Sequence, residues 1–406
     1  MIQRQSQKML QSDGSGEGSL PQSSDRQERR RPLRILVAYN ATQERTGGMS
    51  RIMGLIHDQL VLAGHSVEYF CSEELSWRAA GGWGRFTYPL ALLHHAWAAA
   101  RGGRPYDVVN VHEPSGAAIG CLKGLAGKPK VVVTSHGLET RGWMQLMEDV
   151  KMGRDNVPLS SRLLYPTTLI WQARVALAAS DHVFCLNLQD RDYLASKCSI
   201  PKSRITRIHP GAEAVYASAA AGRDYGNAET LLFAGTWLKR KGTADLVTAF
   251  SALAHQHPRL KLLVLNCGAP EAVVKDSFPA EVRDRVIYQR SAPEEGTARA
   301  LAAADIYLLP SLFEGTPLTL IEAMFSGLPV ITTSTCGMKD VIEDGRNGLL
   351  VPLRSPGAIV TAVTRLLCDP QLRRNLGEAA RAEAVEMYTW RRAAQPVQEV
   401  YERLCA

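Results

Sequence analysis

The chain has no run of roughly 18 or more uncharged apolar residues, which excludes a membrane-spanning helix. It has no Cys-x-x-Cys pair. Its 8 cysteines are scattered and read as reduced thiols of a cytoplasmic protein, not as a disulfide frame or a zinc site. Neither loop behind a first strand reads Gly-x-Gly-x-x-Gly, which disfavours a dinucleotide-dependent oxidoreductase. No cluster of His, Cys and Asp offers a metal site, and no nucleic-acid-binding motif is present. The first residues lack the apolar core of a secretory signal. Residues 1–32 are polar, rich in Gly, Ser and Gln, and end in a basic run, so the expectation there is a disordered basic tail.

What the chain has is length and alternation. Its 406 residues exceed one ordinary core and suit two α/β domains, and 45% apolar with 21% charged residues is ordinary for a globular protein. The net charge is +7, of which residues 1–34 carry +3 (7 Lys or Arg against 4 Asp or Glu). That leaves nucleic acid, an anionic membrane surface or anionic small molecules as partners, and the missing motifs disfavour the first.

Short apolar runs at Arg34–Tyr39, His65–Phe70, Asp107–Val111, Lys130–Ser135 and Asp181–Leu186 read as strands alternating with helices. The alternation restarts at Leu231–Ala234 and continues through Leu260–Leu265, Val286–Tyr288, Ile306–Leu309 and Val330–Thr332. Two Rossmann-like domains with parallel sheets follow, facing each other across a ligand cleft at the carboxyl ends of the strands. The Ala/Gly-rich stretch Gly211–Ala228 reads as the linker, and Leu376–Leu404 as helical in pattern.

The segment Pro310–Ala323 carries the densest chemistry. A buried strand ends at Pro310, Thr316 is placed to cap a helix, and Pro317 suits its first position. The helix start beside a strand end is an anion site. Glu314 before it and Glu322 in its second turn can accept hydrogen bonds from sugar hydroxyls; the alternative is a capping acid and a surface acid. The loop Gly235–Gly242 supplies Lys239, Arg240 and Lys241 between a strand and a helix, where cations can face a diphosphate or form a solvated turn. Gly47–Gly48 behind the first strand lets backbone N–H groups approach a phosphate, or is a mere turn. His136 stands at a strand tip before a glycine. Asp190-Arg191-Asp192 matches a metal-binding Asp-x-Asp but opens a helix, and reads as capping.

Glu314 and Glu322 with seven residues between them, within Glu-Gly-x-Pro and followed by Ala-Met-x-x-Gly-x-Pro-Val, resemble the signature of the family 4 retaining glycosyltransferases of GT-B type. The resemblance extends over nearly the whole chain after Pro32. Gly47–Gly48 resembles the family's glycine loop, Asp107–His112 its Asp-x-x-His-x-His strand, and Val133–Gly137 its catalytic histidine turn. Gly235–Gly242 resembles its phosphate loop and Val341–Gly348 its downstream turn, while Trp390 with Tyr401 resembles a last helix crossing back to the first domain.

The implied layout is an acceptor-binding domain over 33–215, a nucleotide-sugar-binding domain over 228–385 and a returning helix over 386–406. The implied activity is transfer of a hexose from a nucleoside-diphosphate sugar to an acceptor hydroxyl with retention, in glycan, polysaccharide or glycolipid biosynthesis, with no cofactor and no metal. A sugar-nucleotide isomerase or a non-catalytic binder of the same fold is the alternative.

By the same resemblance, His136, Glu314, Lys241 and Arg240 are catalytic. Gly47, Gly48, Gly315, Thr316, Pro317, Leu318, Glu322 and Arg290 bind the donor, and Asn110 and His112 lie on the acceptor side. Two departures stand out: Thr236 replaces an arginine usual after the first glycine, and Asn110 a frequent histidine. The acceptor, glycan or lipid-linked, is not readable. The divergent segments Glu74–Arg104 and Glu139–Tyr165 set Trp77, Trp83, Phe86, Trp97 and Trp143 among arginines. That mixture suits sugar stacking, peripheral contact with an anionic membrane, or a packed helix pair.

Overall fold

The computed structural model describes residues 31–41, 47–72, 84–290 and 294–406. The tail expected over 1–32 therefore lies, as far as residue 30, outside the described residues, as do Trp77 and Trp83. Strands β1 (Arg34–Tyr39), β2 (Ser66–Cys71), β3 (Val108–His112), β4 (Lys130–Thr134), β5 (His182–Cys185) and β6 (Ile205–Arg207) form one sheet in the order β2-β1-β3-β4-β5-β6. A second sheet runs β12-β11-β10-β7-β8-β9, from β7 (Thr230–Ala234), β8 (Lys261–Leu265), β9 (Val286–Gln289), β10 (Ile306–Leu309), β11 (Val330–Thr333) and β12 (Leu349–Val351). Every strand pair is parallel. The central strands are buried and mostly apolar because both faces are covered. The three-residue edge strands β6 and β12 are too short to show as apolar runs, and the sequence reading passed over them.

The first sheet carries helices α1 (Gly48–Leu62), α2 (Gly84–Arg101), α3 (Ala117–Leu122), α4 (Glu139–Lys151), α5 (Leu159–Tyr165), α6 (Trp171–Ala179) and α7 (Leu188–Lys197). One π turn at Pro166–Ile170 joins α5 to α6. The second carries α8 (Ala214–Ala219), α9 (Thr243–Gln256), α10 (Glu271–Asp276), α11 (Glu294–Ala303), α12 (Leu318–Phe325), α13 (Cys336–Val341), α14 (Pro356–Cys368) and α15 (Pro370–Met387). The last helix, α16 (Trp390–Cys405), packs on α1 and puts Trp390, Val397, Val400 and Tyr401 into the core beneath the first sheet.

Two expectations are corrected. The stretch 211–228 is not a bare linker: it contains α8, whose Tyr216 is fully buried against the second domain. The helical pattern over 376–404 is two helices, broken where the Thr389 side chain caps the second through the Arg392 N–H. The break sits at a chain crossing. Ala212 N–H donates to the Tyr388 carbonyl at 2.9 Å, and a Cβ on Gly211 would stand 2.4 Å from the Trp390 nitrogen. The two passages between domains thus pack on one another.

Candidate active site

The carboxyl ends of the two sheets meet in the cleft. From the first domain come the Gly47–Gly48 start of α1 and the histidines closing β3 and β4. Gly47 precedes the 15-residue α1 and, among the described residues, no side chain caps the helix start; a Cβ on Gly48 would meet nothing within 4 Å. His112 and His136 lie with ring centroids 5.2 Å apart. Burial holds both neutral: the His112 imidazole is pushed down to about 4, and His136 well below its ordinary value, with His112 adding to the effect. His112 Nδ1 sits 3.2 Å from the Thr134 carbonyl. Among the described residues neither ring nitrogen of His136 has a partner, so a neutral imidazole with both nitrogens unspent stands just past the tip of β4.

From the second domain comes a carboxylate held by two cations. Glu314 Oε1 lies 2.5 Å from Lys241 Nζ and accepts from Ser311 Oγ at 3.0 Å, while Oε2 lies 3.6 Å from Arg240 Nη1. Glycine makes this approach geometrically allowed. Gly242 has φ +71° and carries the chain past the Pro310 carbonyl, where a Cβ would stand 1.9 Å from the oxygen. Gly315 presses on the His136 carbonyl across the cleft, where a Cβ would stand 2.6 Å away. The histidine turn and the glutamate loop are therefore in van der Waals contact.

The second acid, Glu322, is 1% exposed. Burial pushes its carboxyl up, and Arg51 and Tyr216 counter that. Arg51 reaches across from the first turn of α1: Nη1 meets Glu322 Oε1 at 2.8 Å and Nη2 meets Glu294 Oε1 at 2.8 Å. Tyr216 Oη donates to the same Oε1 at 3.0 Å. Burial works against the Arg51 charge, but Glu322, Tyr216 and Glu294 outweigh it and hold the guanidinium protonated. Among the described residues five further ion pairs bridge the domains: Arg154–Asp245, Lys239–Asp155 and Arg354–Asp149, each at 2.6 Å, Arg207–Asp340 at 3.3 Å and Arg354–Glu148 at 3.4 Å.

The structure thus brings His136, His112, Gly47, Gly48, Glu314, Lys241, Arg240, Gly315 and Glu322 to one cleft, and departs from the sequence reading elsewhere. Thr316 does not cap α12. Its hydroxyl donates across the cleft to the Leu186 carbonyl at 2.6 Å, and α12 begins after Pro317 without a side-chain cap. Leu318 likewise turns into the first domain's core. Asn110 does not face an acceptor: its amide donates to Tyr401 Oη at 2.5 Å and accepts from Thr134 Oγ1 at 2.8 Å. Tyr401 in turn bonds His57 Nε2 at 3.0 Å, so Asn110 serves to pin α16. Arg290 is exposed at the end of β9, beside residues that are not described. Asp190 is not the cap of α7, a role that falls to Asn187. Asp190 is buried and bonded to Arg141, Asn187 Nδ2 and the Leu138 N–H.

Sequence reading missed Arg51, Ser311 and Tyr216. Only for Arg51 was a signal available, a cation in the first turn of a helix, where the dipole disfavours it unless an anion stands opposite.

Comparison with known proteins agrees with this fold. Residues 46–214 match the model of Glycosyltransferase Family 4, and residues 219–383 that of Glycosyl transferases group 1. A D-inositol 3-phosphate glycosyltransferase of Corynebacterium jeikeium is 26% identical over 74% of this chain and 73% of its own length. One from Corynebacterium kroppenstedtii is 30% identical, over 50% of this chain and about half (47%) of the relative. An alpha-maltose-1-phosphate synthase of Mycolicibacterium smegmatis is 27% identical over 58% of this chain and 66% of its own. Among solved structures, sucrose-phosphate synthase from Thermosynechococcus elongatus superposes with TM-score 0.74 at 21% identity, over 92% of this chain and 99% of that one. Anabaena HepE, solved with UDP-glucose, gives 0.66 at 14% identity, over 91% and 100%. At these identities the structural likeness speaks for the fold.

Proposed function

Because the chain belongs to the family 4 glycosyltransferases of GT-B type, we propose that it moves a hexose from a nucleoside-diphosphate sugar to an acceptor hydroxyl with retention at the anomeric carbon. The observation that carries this is Glu314 holding Lys241 and Arg240 opposite the unspent nitrogens of His136. In this reading the carboxylate keeps two cations in place until a diphosphate arrives. As the glycosidic bond breaks, negative charge grows on the leaving phosphate, and cations fixed there stabilise the transition state more than the bound substrate. The N-terminus of α1, without a side-chain cap among the described residues, adds its N–H groups to the same anion. Glu314 then accepts from the hexose hydroxyls and Glu322 from the ribose. Neutral His136 accepts or donates one hydrogen bond at the sugar, without adding charge next to a developing cation.

Retention by a covalent intermediate would need a carboxylate nucleophile on the first domain. Glu113, beside His112, does not suit that role. Burial pushes its carboxyl up to about 8, so it is protonated near neutral pH, and its Oε1 accepts from the Glu139 N–H. A front-face route in which the leaving phosphate takes the acceptor's proton fits better.

The test has two parts. A thermal-shift panel of UDP, GDP and ADP sugars identifies the donor, since a ligand binding the folded chain raises its melting temperature by mass action. With that donor, Glu314→Gln keeps shape and removes charge, and turnover should fall by about 100-fold or more with the fold intact. Undiminished turnover in that variant would refute the site.

A further inference from the structure

The layer α2, α3 and α6 covers one face of the first sheet, opposite the face taken by α1 and α16, and α5 runs into it through the π turn at Pro166–Ile170. Three stretches that build it, 84–106, 114–138 and 156–180, contain no Asp or Glu and 8 Lys or Arg. Large apolar side chains stand out of this layer. On α5 Leu159, Leu163 and Leu164 are 71%, 64% and 61% exposed, and Trp171 at the start of α6 is 60% exposed. Phe86 and Leu90, four residues apart in α2, are also exposed, as are Met144 and Met152 on and after α4. The basic side chains Lys151, Arg162 and Arg174 alternate with them at the surface.

Topology sets where these groups lie. α6 leads into β5, so the preceding α5 stands at the carboxyl edge of the sheet. α4 leaves β4 at that same edge, and Trp143 of α4 stacks on Tyr165 of α5 with centroids 4.5 Å apart. The apolar rim therefore borders the mouth of the cleft. Acids in the neighbouring 139–155 segment are all engaged. Glu139 accepts from Tyr165, Glu148 and Asp149 meet Arg354, and Asp155 meets Lys239. The rim is left apolar and positive.

We propose that this face docks on an anionic bilayer surface and that the acceptor is consequently lipid-borne, its hydroxyl entering the cleft at headgroup depth. Leucines offer a sugar no hydrogen bonds, which argues against a glycan track. A second copy of the same face would bring like charges together, which argues against self-association. Apolar side chains that enter the headgroup boundary, together with cations that meet anionic lipid, fit both features at once. The lipid-borne acceptor rests on the transferase reading; the docking face does not.

The test uses the full chain and sedimentation with vesicles of phosphatidylcholine alone or mixed with phosphatidylglycerol. Binding should require the anionic lipid and weaken as salt rises. Leu163→Glu combined with Trp171→Glu alters two exposed positions and should cut partitioning at least about tenfold. Its melting temperature and calorimetric affinity for the sugar nucleotide should not change. Equal partitioning of wild type and double variant would overturn the proposal, placing any membrane contact elsewhere in the chain. So would wild-type binding indifferent to lipid charge, or a dimer in solution that the double variant splits. Loss of sugar-nucleotide affinity in the wild type itself would refute the transferase reading while leaving the docking face standing.

Discussion

Lys241 is buried to 9% exposure with its ammonium on a carboxylate, a state that anticipates a ligand of greater charge. Lys241→Ala should therefore lower kcat more than it weakens binding of the free nucleoside, which carries no phosphate. A contact of this type is worth about 2.7–4 kcal/mol, or roughly 100- to 1,000-fold in rate. Arg240, half-exposed and 3.6 Å from the same acid, can cover part of the loss. The single variant should lose activity at the low end of that range, and the double variant should lose well beyond it. Steady-state kinetics set beside nucleoside titration would read both, and an intact kcat would reduce the loop 235–242 to a turn.

Arg51 acts through another residue. Its bond and that of Tyr216 both fall on Oε1 of Glu322, which leaves Oε2 for a ligand. Removing one member of a buried ion pair strands the other. Arg51→Ala should therefore raise the KM for the sugar nucleotide about tenfold or more with a smaller change in kcat. Arg51→Lys should recover part of that, since an ammonium can reach one of the two acids but not both. If melting temperature falls while KM stays put, Arg51 is a clasp between domains and does not position Glu322.

At the scale of elements, the legible parts were those written in consecutive residues. β1, β4, β8 and β10 are apolar runs bounded by turns, and Glu314 with Glu322 lies in one continuous segment. What escaped reading depends on partners far away in the chain. Arg51 and Glu322 are 271 residues apart, and Asn110 and Tyr401 are 291 apart. Thr316 shows the failure clearly. By local rules it is a helix cap, but the tight approach that Gly315 permits brings the Leu186 carbonyl within 2.6 Å, and the hydroxyl goes there. Tertiary proximity overrode a local preference. The break at Tyr388 was hidden similarly, because apolar anchors continue on either side of it and only the crossing with Gly211 requires the turn.

Across the whole molecule, the stability of the fold has a pH signature. Glu113 has a carboxyl pushed up to about 8 by burial, with Glu139 and Asp190 adding to it. Its folded-state value exceeds its unfolded one, so the folded chain holds this proton more tightly. The stabilisation is complete below the ordinary carboxylate value and is lost as pH rises through about 8. The loss should be on the order of a few kcal/mol. Denaturant unfolding between about pH 5 and pH 9 should show wild type weakening with rising pH, whereas Glu113→Gln should be nearly flat from this source. Parallel curves for the two proteins would remove Glu113 from the account.

α16 also makes the two halves of the chain inseparable by cutting. Gly222 and Gly226 are exposed between α8 and β7. A chain interrupted there yields an amino-terminal piece holding the first sheet and a carboxyl-terminal piece ending in α16. Trp390, Val397, Val400 and Tyr401 of the second piece are core residues of the first. Co-expressed as separate polypeptides, the pieces should reassemble like complementing halves of a split reporter and co-elute as one species with recovered turnover. Ending the second piece before Trp390 should abolish the reassembly. The final helix thereby becomes a non-covalent peptide tag that this protein supplies to itself.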